Sequence, residues 1–281
     1  MPVKLDGVME TLMITLSVRA KDAASTAPVL NDQKAAEMVK RIDYDFSKFD
    51  SGVMSYYGVL ARAKMMDDQA RLFIRKNPEC AVVSVGCGLD TRFSRVDNGR
   101  IQWYNLDFPE VIEQRKRFFE EHPRVQNIPK SALDPSWTQA VKTNGQPLLI
   151  ISEGMLMYLH ENEVAQLLEI LTDGFDRFEA HFDLLYKGLV NKGSMHDTVK
   201  KTGAQFNWGV KDGSEVVRLC PGLRQTGLIN FTDEMRRLLP GAKKLLIPIM
   251  YLTNNRLGIY TYQKNACLLY TSPSPRDQRG S

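Results

Sequence analysis

The chain has 281 residues, of which 43% are hydrophobic and 25% charged, and 37 basic against 33 acidic side chains give a formal net charge of +4. This composition excludes a disordered or collagen-like chain and suits one large domain with a sizeable core. The net charge is too small to indicate a nucleic-acid partner, and no cluster of Lys and Arg adds to it.

The sequence contains no segment typical of export or of membrane insertion. The longest apolar stretch, residues 245–252, includes Pro248 and falls well short of the roughly 18 residues that a membrane span needs. Asp6 and Glu10 interrupt the region that a secretory signal would keep apolar. We therefore expect a cytoplasmic protein without a membrane partner.

Cysteine and histidine spacing indicates neither a metal centre nor a disulfide framework. The chain has no CxxC pair and no HExxH motif. We therefore expect no bound metal and four reduced thiols, at Cys80, Cys87, Cys220 and Cys267.

Three helices are predicted before the first strand. Apolar residues recur at helical spacing in residues 8–20, 31–41 and 53–76, and the third pattern stops at Asn77-Pro78. Residues 1–76 should therefore form a helical cap region within one domain that covers residues 1–265.

Strand and helix patterns then alternate, which favours an α/β fold with a mostly parallel sheet. Two regions differ from this alternation. Residues 187–221, rich in Gly and Lys, are predicted to be a lid or a wall of the substrate site, and residues 267–281 a disordered or non-native tail without function. The predicted strands are residues 80–85, 100–106, 125–128, 146–152 and one near 179–187. Helices are predicted from Pro109 onward, over 135–141 and over 161–172. Residues 244–252 and 257–263 are predicted to close the sheet as an antiparallel hairpin.

A glycine pair at the end of the first strand is the first sign of a ligand site. Gly86-Cys87-Gly88 follows an apolar β-branched run, and glycines let the backbone turn sharply and approach a ligand closely. Taken alone, the pair could equally be a structural turn. Asp107 follows Gly86 by 107 − 86 = 21 positions at the end of the next strand, where a carboxylate can accept both hydroxyls of an adenosine ribose. Asp107 could instead be the N-cap of the helix that starts at Pro109.

The same segment argues against a dinucleotide. The third glycine of that fingerprint is replaced by Thr91, and Asp90 places a carboxylate where a diphosphate would be repelled. A nucleoside without phosphate fits better, and S-adenosylmethionine is the obvious candidate.

Two further residues suit the methionine part of such a ligand. Glu153 directly follows the buried strand 146–152 and could meet the ammonium group, although it could equally be the partner of a nearby Arg. Arg62, in the long helix before the glycine strand, could bind the carboxylate as a bidentate fork, although alone it would be an ordinary solvated Arg.

Four motifs in order along the chain resemble the leucine carboxyl methyltransferase superfamily, in particular its small-molecule branch of tetracenomycin-type polyketide O-methyltransferases. The similarity extends over roughly residues 8–265. It implies a class I, Rossmann-like methyltransferase with a mostly parallel seven-stranded sheet, an antiparallel hairpin edge and a helical cap. The motifs are VVSVGCGLDTRF (82–93), WYNLDFPEVIEQR (103–115), SALDPSW (131–137) and LLIISEGMLMYL (148–159).

The resemblance also implies which residues hold S-adenosylmethionine. Arg62 would bind the methionine carboxylate, Asp107 the ribose hydroxyls and Glu153 the amino group, and Arg19 would be a loosely aligned basic contact. The segment before Asp134 would lie beside the adenine. The full set of cofactor-binding residues implied in this way is Arg19, Arg62, Gly86, Cys87, Gly88, Asp107, Phe108, Ser131, Ala132, Glu153 and Gly154.

The expected activity is methyl transfer to a hydroxyl or carboxylate of a small, polyketide-like molecule. Tyr158 is the candidate catalytic side chain, although it could instead be a core aromatic residue. Protein-methylating relatives carry Asp where this chain has Ser131, which argues against methylation of a protein C-terminal leucine. A cofactor-binding protein without activity and, less favoured, a nicotinamide dehydrogenase are two further hypotheses. The oligomeric state is left open.

Overall fold

A seven-stranded sheet forms the centre of the structure, a computed structural model that describes residues 9–192, 199 and 202–264. The predicted tail, residues 267–281, lies outside the described residues. The strand order is β3-β2-β1-β4-β5-β7-β6, in which β7 is antiparallel to both of its neighbours and the other pairs are parallel. The strands are β1 (Ala81–Val85), β2 (Gln102–Asp107), β3 (Val125–Pro129), β4 (Leu148–Ser152), β5 (Arg177–Leu184), β6 (Leu223–Asn230) and β7 (Arg256–Gln263).

The helices lie on both faces and over the carboxyl ends of the parallel strands. All residues of β1 and β4 are buried, as expected of central strands that are covered on both sides. None of the described helices is long and apolar enough to cross a membrane. The α-helices are α1 (Leu12–Ala23), α2 (Gln33–Arg41), α3 (Val53–Lys76), α4 (Arg92–Val96), α5 (Pro109–Lys116), α6 (Glu161–Gly174), α7 (Ser214–Leu219), α8 (Thr232–Leu238) and α9 (Ile247–Thr253).

The predicted closing hairpin is wrong in its first strand. Residues 244–252 are helical, as the end of a 3-10 turn (Gly241–Leu246) followed by α9, and β7 pairs instead with β5 and β6. A short apolar run does not by itself distinguish strand from helix. Pro248 decides it, because proline suits the first turn of a helix but cannot donate to a strand ladder.

The sequence pattern also failed to indicate β6. This edge strand alternates exposed and partly buried residues after its buried first residue, Leu223, and its register shifts between Gln225 and Gly227. Its partly buried positions include Gln225 and Gly227, and its exposed positions include Leu228. Apolar and polar residues therefore do not alternate with the two-residue period on which strand prediction depends.

Candidate active site

A cavity of about 670 Å³ lies at the carboxyl ends of β1, β2 and β4, where parallel α/β sheets place their ligands. Its remaining walls are formed by residues of α1, α3, α8 and α9 and of the loop after β5. Ten of the residues predicted from the sequence line it: Arg19, Arg62, Gly86, Cys87, Gly88, Asp107, Phe108, Glu153, Gly154 and Tyr158.

Ser131 and Ala132 do not line this cavity. The hydroxyl of Ser131 accepts from the Leu133 amide at 3.2 Å, and the Ala132 carbonyl accepts from Trp137 Nε1 at 3.0 Å. Their polar groups therefore serve the turn that leads into the 3-10 helix Pro135–Ala140. A contact of these two residues with the cofactor stays a prediction.

The glycine loop after β1 has the backbone conformation that only glycine adopts easily. Gly86 has φ +68° and Gly88 has φ +48°, both in the left-handed region. A Cβ on Gly86 would lie 2.7 Å from the sulfur of Met155, whereas one on Gly88 would meet nothing closer than Leu12 at 3.5 Å. The loop therefore packs against the protein at Gly86 and leaves space above Gly88.

Asp107 lies at the end of β2 with both carboxylate oxygens turned to backbone amides. Oδ2 accepts from the Gly88 amide at 2.7 Å and Oδ1 from the Phe108 amide at 2.8 Å. The N-cap of α5 is Phe108, so the alternative interpretation of Asp107 as that N-cap is wrong. Burial raises the pKa of this carboxyl, and hydrogen bonds from Gly88 and Phe108 oppose the rise. Each oxygen keeps a lone pair for a hydroxyl donor.

Glu153 and Arg62 form a partly buried ion pair next to a second, fully buried carboxylate. Arg62 Nε donates to Glu153 at 2.9 Å, and its Nη1 donates to Asp183 at 3.1 Å. Arg62 is therefore not an ordinary solvated helix residue, and Glu153 is indeed the partner of an Arg. The Nη2 of Arg62 has no hydrogen-bond partner among the described residues, which leaves a donor for an anionic ligand group.

Asp183 was not identified from the sequence. It lies within β5 and is completely buried, and it also accepts from the Gly154 amide at 3.0 Å. Its Oδ1 has no hydrogen-bond partner among the described residues. Burial raises its pKa to about 6, although Arg62 lowers it. An apolar strand such as HFDLL offers one sequence signal, a single acid among buried positions.

Arg92 was missed as well, although it lies just after the glycine loop. It is almost fully buried, and it donates to Glu153, to Asp67 at 2.7 Å and to Asp90 at 2.9 Å. Arg95 extends the same network to Asp67 at 2.6 Å. Arg92 and Arg95 hold the pKa of the Asp90 carboxyl well below its usual range. Arg92 and Arg62 lower the pKa of Glu153 against the effect of burial.

Arg19 stabilises the loop around the site. Its guanidinium donates to Asp32 at 2.5 Å, to the hydroxyl of Thr91 at 3.0 Å and to the carbonyl of Leu89 at 3.0 Å. Because Leu89 and Thr91 follow the glycine loop directly, Arg19 ties α1 to that loop. Direct contact of Arg19 with a ligand stays a prediction.

Tyr158 lies at the boundary between the charged half of the cavity and an apolar half. Its ring packs against Phe206 with centroids 5.8 Å apart, and its hydroxyl is hydrogen-bonded to Thr11. Burial raises its pKa, so the phenol stays protonated at neutral pH. The apolar half is lined by Leu12, Ile14, Met54, Val59, Met157, Leu185, Leu189, Val199, Phe206, Phe231, Met235 and Met250.

No group of three or more His, Cys, Asp or Glu that could hold a metal occurs among the residues that the structure describes. Three of the four cysteines, Cys80, Cys87 and Cys220, are buried and free, and Cys267 lies outside the described ranges. Burial raises the pKa of the Cys87 thiol, which makes it a packing residue of the loop rather than a nucleophile.

The sheet order, the glycine loop after β1 and the acid at the end of β2 define a class I S-adenosylmethionine-dependent methyltransferase. A solved structure of a candidate methyltransferase from Thermobifida fusca YX shares the fold, with a TM-score of 0.59, 15% identity, and coverage of 88% of this chain and 94% of that one.

Sequence comparison makes the assignment more specific. Residues 12–172 match the model of the leucine carboxyl methyltransferase family, and the chain belongs to this family. It is 33% identical to the tetracenomycin polyketide synthesis O-methyltransferase TcmP of Streptomyces glaucescens over 223 residues, covering 79% of this chain and 82% of the relative. It is also 33% identical to the S-adenosyl-L-methionine-dependent methyltransferase dpfgK of Gibberella zeae over 247 residues, covering 79% of this chain and 82% of that relative. The prediction of the family, the enzyme class and the cofactor is thereby confirmed.

Proposed function

We propose that the protein methylates a carboxylate or an acidic hydroxyl of an apolar small molecule, of polyketide-like character. The observation that carries this proposal is the apolar half of the cavity, which continues directly from the charged half and is enclosed by side chains from four helices and the loop after β5. Apolar, largely enclosed pockets with a few polar groups are typical small-molecule sites. The relative TcmP acts in polyketide synthesis, which agrees with this substrate class.

The residues of the charged half fit S-adenosylmethionine group by group. Asp107 would accept the ribose hydroxyls, Glu153 would meet the ammonium group, and the Nη2 of Arg62 would donate to the carboxylate. The half-exposed ring of Phe108 would flank the adenine. When bound, the cofactor supplies an electrophilic methyl group on a sulfonium, so the protein's task is mainly to align the acceptor and to exclude water.

The acceptor half supports an oxygen that needs little activation. No histidine is among the described residues that line the cavity, and the lining carboxylates Asp90, Asp107 and Glu153 are all hydrogen-bonded within the charged part. Tyr158 keeps its proton because its pKa is raised. A protonated phenol is a poor general base but can donate a hydrogen bond that orients an acceptor oxygen. A carboxylate or an acidic phenol is already ionised at neutral pH, which favours these acceptors over an aliphatic alcohol.

Residues of the predicted lid support the same role. Leu189 and Phe206 line the acceptor half, and residues 193–198, 200 and 201 lie outside the described residues. We propose that residues 187–221 form a wall of the acceptor site. The three described free cysteines support a cytoplasmic location, because a reducing compartment keeps such thiols reduced.

The test is incubation of the purified protein with methyl-labelled cofactor and a panel of aromatic acids, acidic phenols and aliphatic alcohols of matched size. We expect labelled methyl esters or ethers from the acids and phenols, with mass analysis showing the gain of one methyl group. Tyr158→Phe should lower kcat by about tenfold or more, since it removes one orienting hydrogen bond. Tyr262→Phe, at a tyrosine of β7 outside the cavity, is the control. Label transferred to protein C-termini and to none of the small acceptors would contradict the proposal.

A further inference from the structure

A stripe of large aliphatic side chains is exposed on the helical segment formed by residues 241–253. Leu245 is 81% exposed, Ile249 61% and Leu252 70%. Their spacing of four and then three residues puts them on one face of a helix. The adjacent Leu246 is also exposed. Four of the eight large hydrophobic residues that are exposed in the described part of the chain therefore belong to this segment.

The opposite face of the segment is firmly packed. Ile247 is buried, and Met250 and Tyr251 pack with Met235 and Leu239 of the α8 region. Tyr251 also donates to Asp233 at 2.6 Å. The segment is therefore anchored by one apolar face while it presents a second one outward, and exposure of the stripe is not a consequence of a frayed helix.

Positive charge accompanies the stripe. Residues 235–256 contain five basic side chains and no Asp or Glu, and Lys243 and Lys244 lie immediately before Leu245 with both side chains exposed. The carboxylates nearest in sequence, Asp233 and Glu234, are engaged by Tyr251 and by Arg237. The five basic residues are Arg236, Arg237, Lys243, Lys244 and Arg256.

The same segment borders the cavity. Met250 and Thr253 of α9 line it together with the following residues Asn254 and Asn255, and Thr253 is exposed. The segment that carries the aliphatic stripe therefore also forms part of the cavity wall. An apolar acceptor that partitions into a surface covering the stripe would lie close to the cavity.

We propose that residues 241–253 are a docking face with which the protein adsorbs reversibly to an anionic lipid surface. A face of Leu and Ile flanked by Lys is typical of segments that lie in the headgroup region, where apolar side chains are buried and basic ones meet anionic lipids. Protein interfaces are instead depleted in Lys and obtain most of their energy from Trp, Tyr and Arg. The sequence prediction of no membrane partner rested on the lack of a spanning segment, and adsorption requires none.

The experiment is flotation of the full-length protein with vesicles, which needs no substrate and no activity. One set of vesicles contains phosphatidylcholine with about 30% phosphatidylserine, and the other contains phosphatidylcholine alone. One variant combines L245S, I249S and L252S, and another combines K243E and K244E. The matched controls are L72S with L228S, at exposed leucines elsewhere, and R75E with K76E, at an exposed basic pair at the end of α3.

We expect wild-type protein and both controls to float with the anionic vesicles and not with the neutral ones. Each docking-face variant should bind at least about tenfold more weakly while its circular dichroism is unchanged, and about 1 M salt should weaken wild-type binding. The proposal is overturned if folded wild-type protein ignores anionic vesicles, or if the docking-face variants bind as well as the controls. Self-association that the triple variant abolishes, or retention on an acidic protein, without vesicle binding would equally overturn it.

Discussion

Charged side chains under the cavity alternate in sign from one side of the site to the other. Asp183 contacts Arg62, Arg62 contacts Glu153, Glu153 contacts Arg92, and Arg92 contacts Asp67. A buried charge is tolerated when opposite charges and hydrogen bonds surround it, and removal of one partner leaves the other uncompensated. Glu153 is held between two arginines and stays ionised, whereas Asp183 has one arginine and one unpaired oxygen. That difference explains why their pKa shifts have opposite signs.

The first prediction at the residue scale concerns Asp107. Asp107→Ala should weaken S-adenosylhomocysteine binding by about 10- to 100-fold, the loss expected when hydrogen bonds to a charged acceptor are removed. Isothermal titration calorimetry measures the change. Asp68→Ala, at a partly exposed carboxylate on α3, is the control and should bind normally. Unchanged affinity in folded Asp107→Ala protein would remove Asp107 from the site.

The second prediction is a pH dependence caused by Asp183. In the folded protein its pKa is about 6, above the ordinary value of about 3.9, so between these pH values the folded state binds a proton that the unfolded state has released. The stabilising contribution of this group is therefore complete below about pH 4 and is lost as the pH rises through about 6. Relative to Asp183→Asn, the wild type should lose at most about 3 kcal/mol over this range.

Urea unfolding of both proteins at several pH values measures that difference. Asp176→Asn, at an exposed carboxylate, is the control and should run parallel to the wild type. A difference between wild type and Asp183→Asn that does not change with pH would show that the Asp183 carboxyl titrates normally.

At the scale of elements, three strand ends converge because parallel neighbours finish at the same edge of the sheet. Val85 of β1 is in register with Leu106 of β2 and with Ser152 of β4, so the residues that follow these three emerge side by side. The helical cap is then connected to this edge through α1 and α2. Asp32 is the junction, since it caps α2 through the Ala35 amide at 3.0 Å and pairs with Arg19 in α1.

The prediction at this scale is that Asp32→Ala is strongly destabilising. It removes a helix cap, worth about 1 kcal/mol, and leaves the buried Arg19 without its closest carboxylate, which costs about 3–5 kcal/mol. Asp32→Asn should lose less, because its side-chain oxygen can still cap α2. Asp45→Ala, which removes an exposed cap of the 3-10 turn Phe46–Phe49, is the control and should cost about 1 kcal/mol. Equal stability of all three variants in urea would refute the assigned role.

At the scale of the whole molecule, the cavity draws its walls from distant parts of the chain. Residues from α1, α3, the strand ends, the loop after β5 and α9 all line it. A ligand that contacts all of these binds the folded state and not the unfolded chain. Binding should therefore stabilise the entire fold.

S-adenosylhomocysteine at about 100 times its Kd should add about 2.7 kcal/mol to the free energy of unfolding. For a chain of this size that corresponds to a rise in Tm of about 5 °C, measured by differential scanning calorimetry. NAD at the same concentration should leave Tm unchanged, because the glycine loop lacks the third glycine and carries Asp90. A shift with NAD and none with S-adenosylhomocysteine would contradict the assignment of this site.

Much of the sheet and half of the site could be predicted because their signals are local. The glycine pair, Asp107 and Glu153 each follow directly on an apolar strand, and α3 has a long helical period. The strand that pairs with β7 could not be predicted in the same way. Residues 244–252 are apolar enough for either structure. Pro248 disfavours the strand, and the packing of Ile247 and Met250 on α8 stabilises the helix.

Motifs a few residues long were enough to specify the fold class and the family, and they predicted residues for the ribose and the amino group that line the cavity. Three findings required the folded chain: Asp183 and Arg92 belong to the ion-pair network beside the cavity, β6 is a partner of β7, and the aliphatic stripe of Leu245, Ile249 and Leu252 is exposed. The physical reason is that ion pairing, strand pairing and burial join residues that are far apart in the chain. No local pattern contains that information.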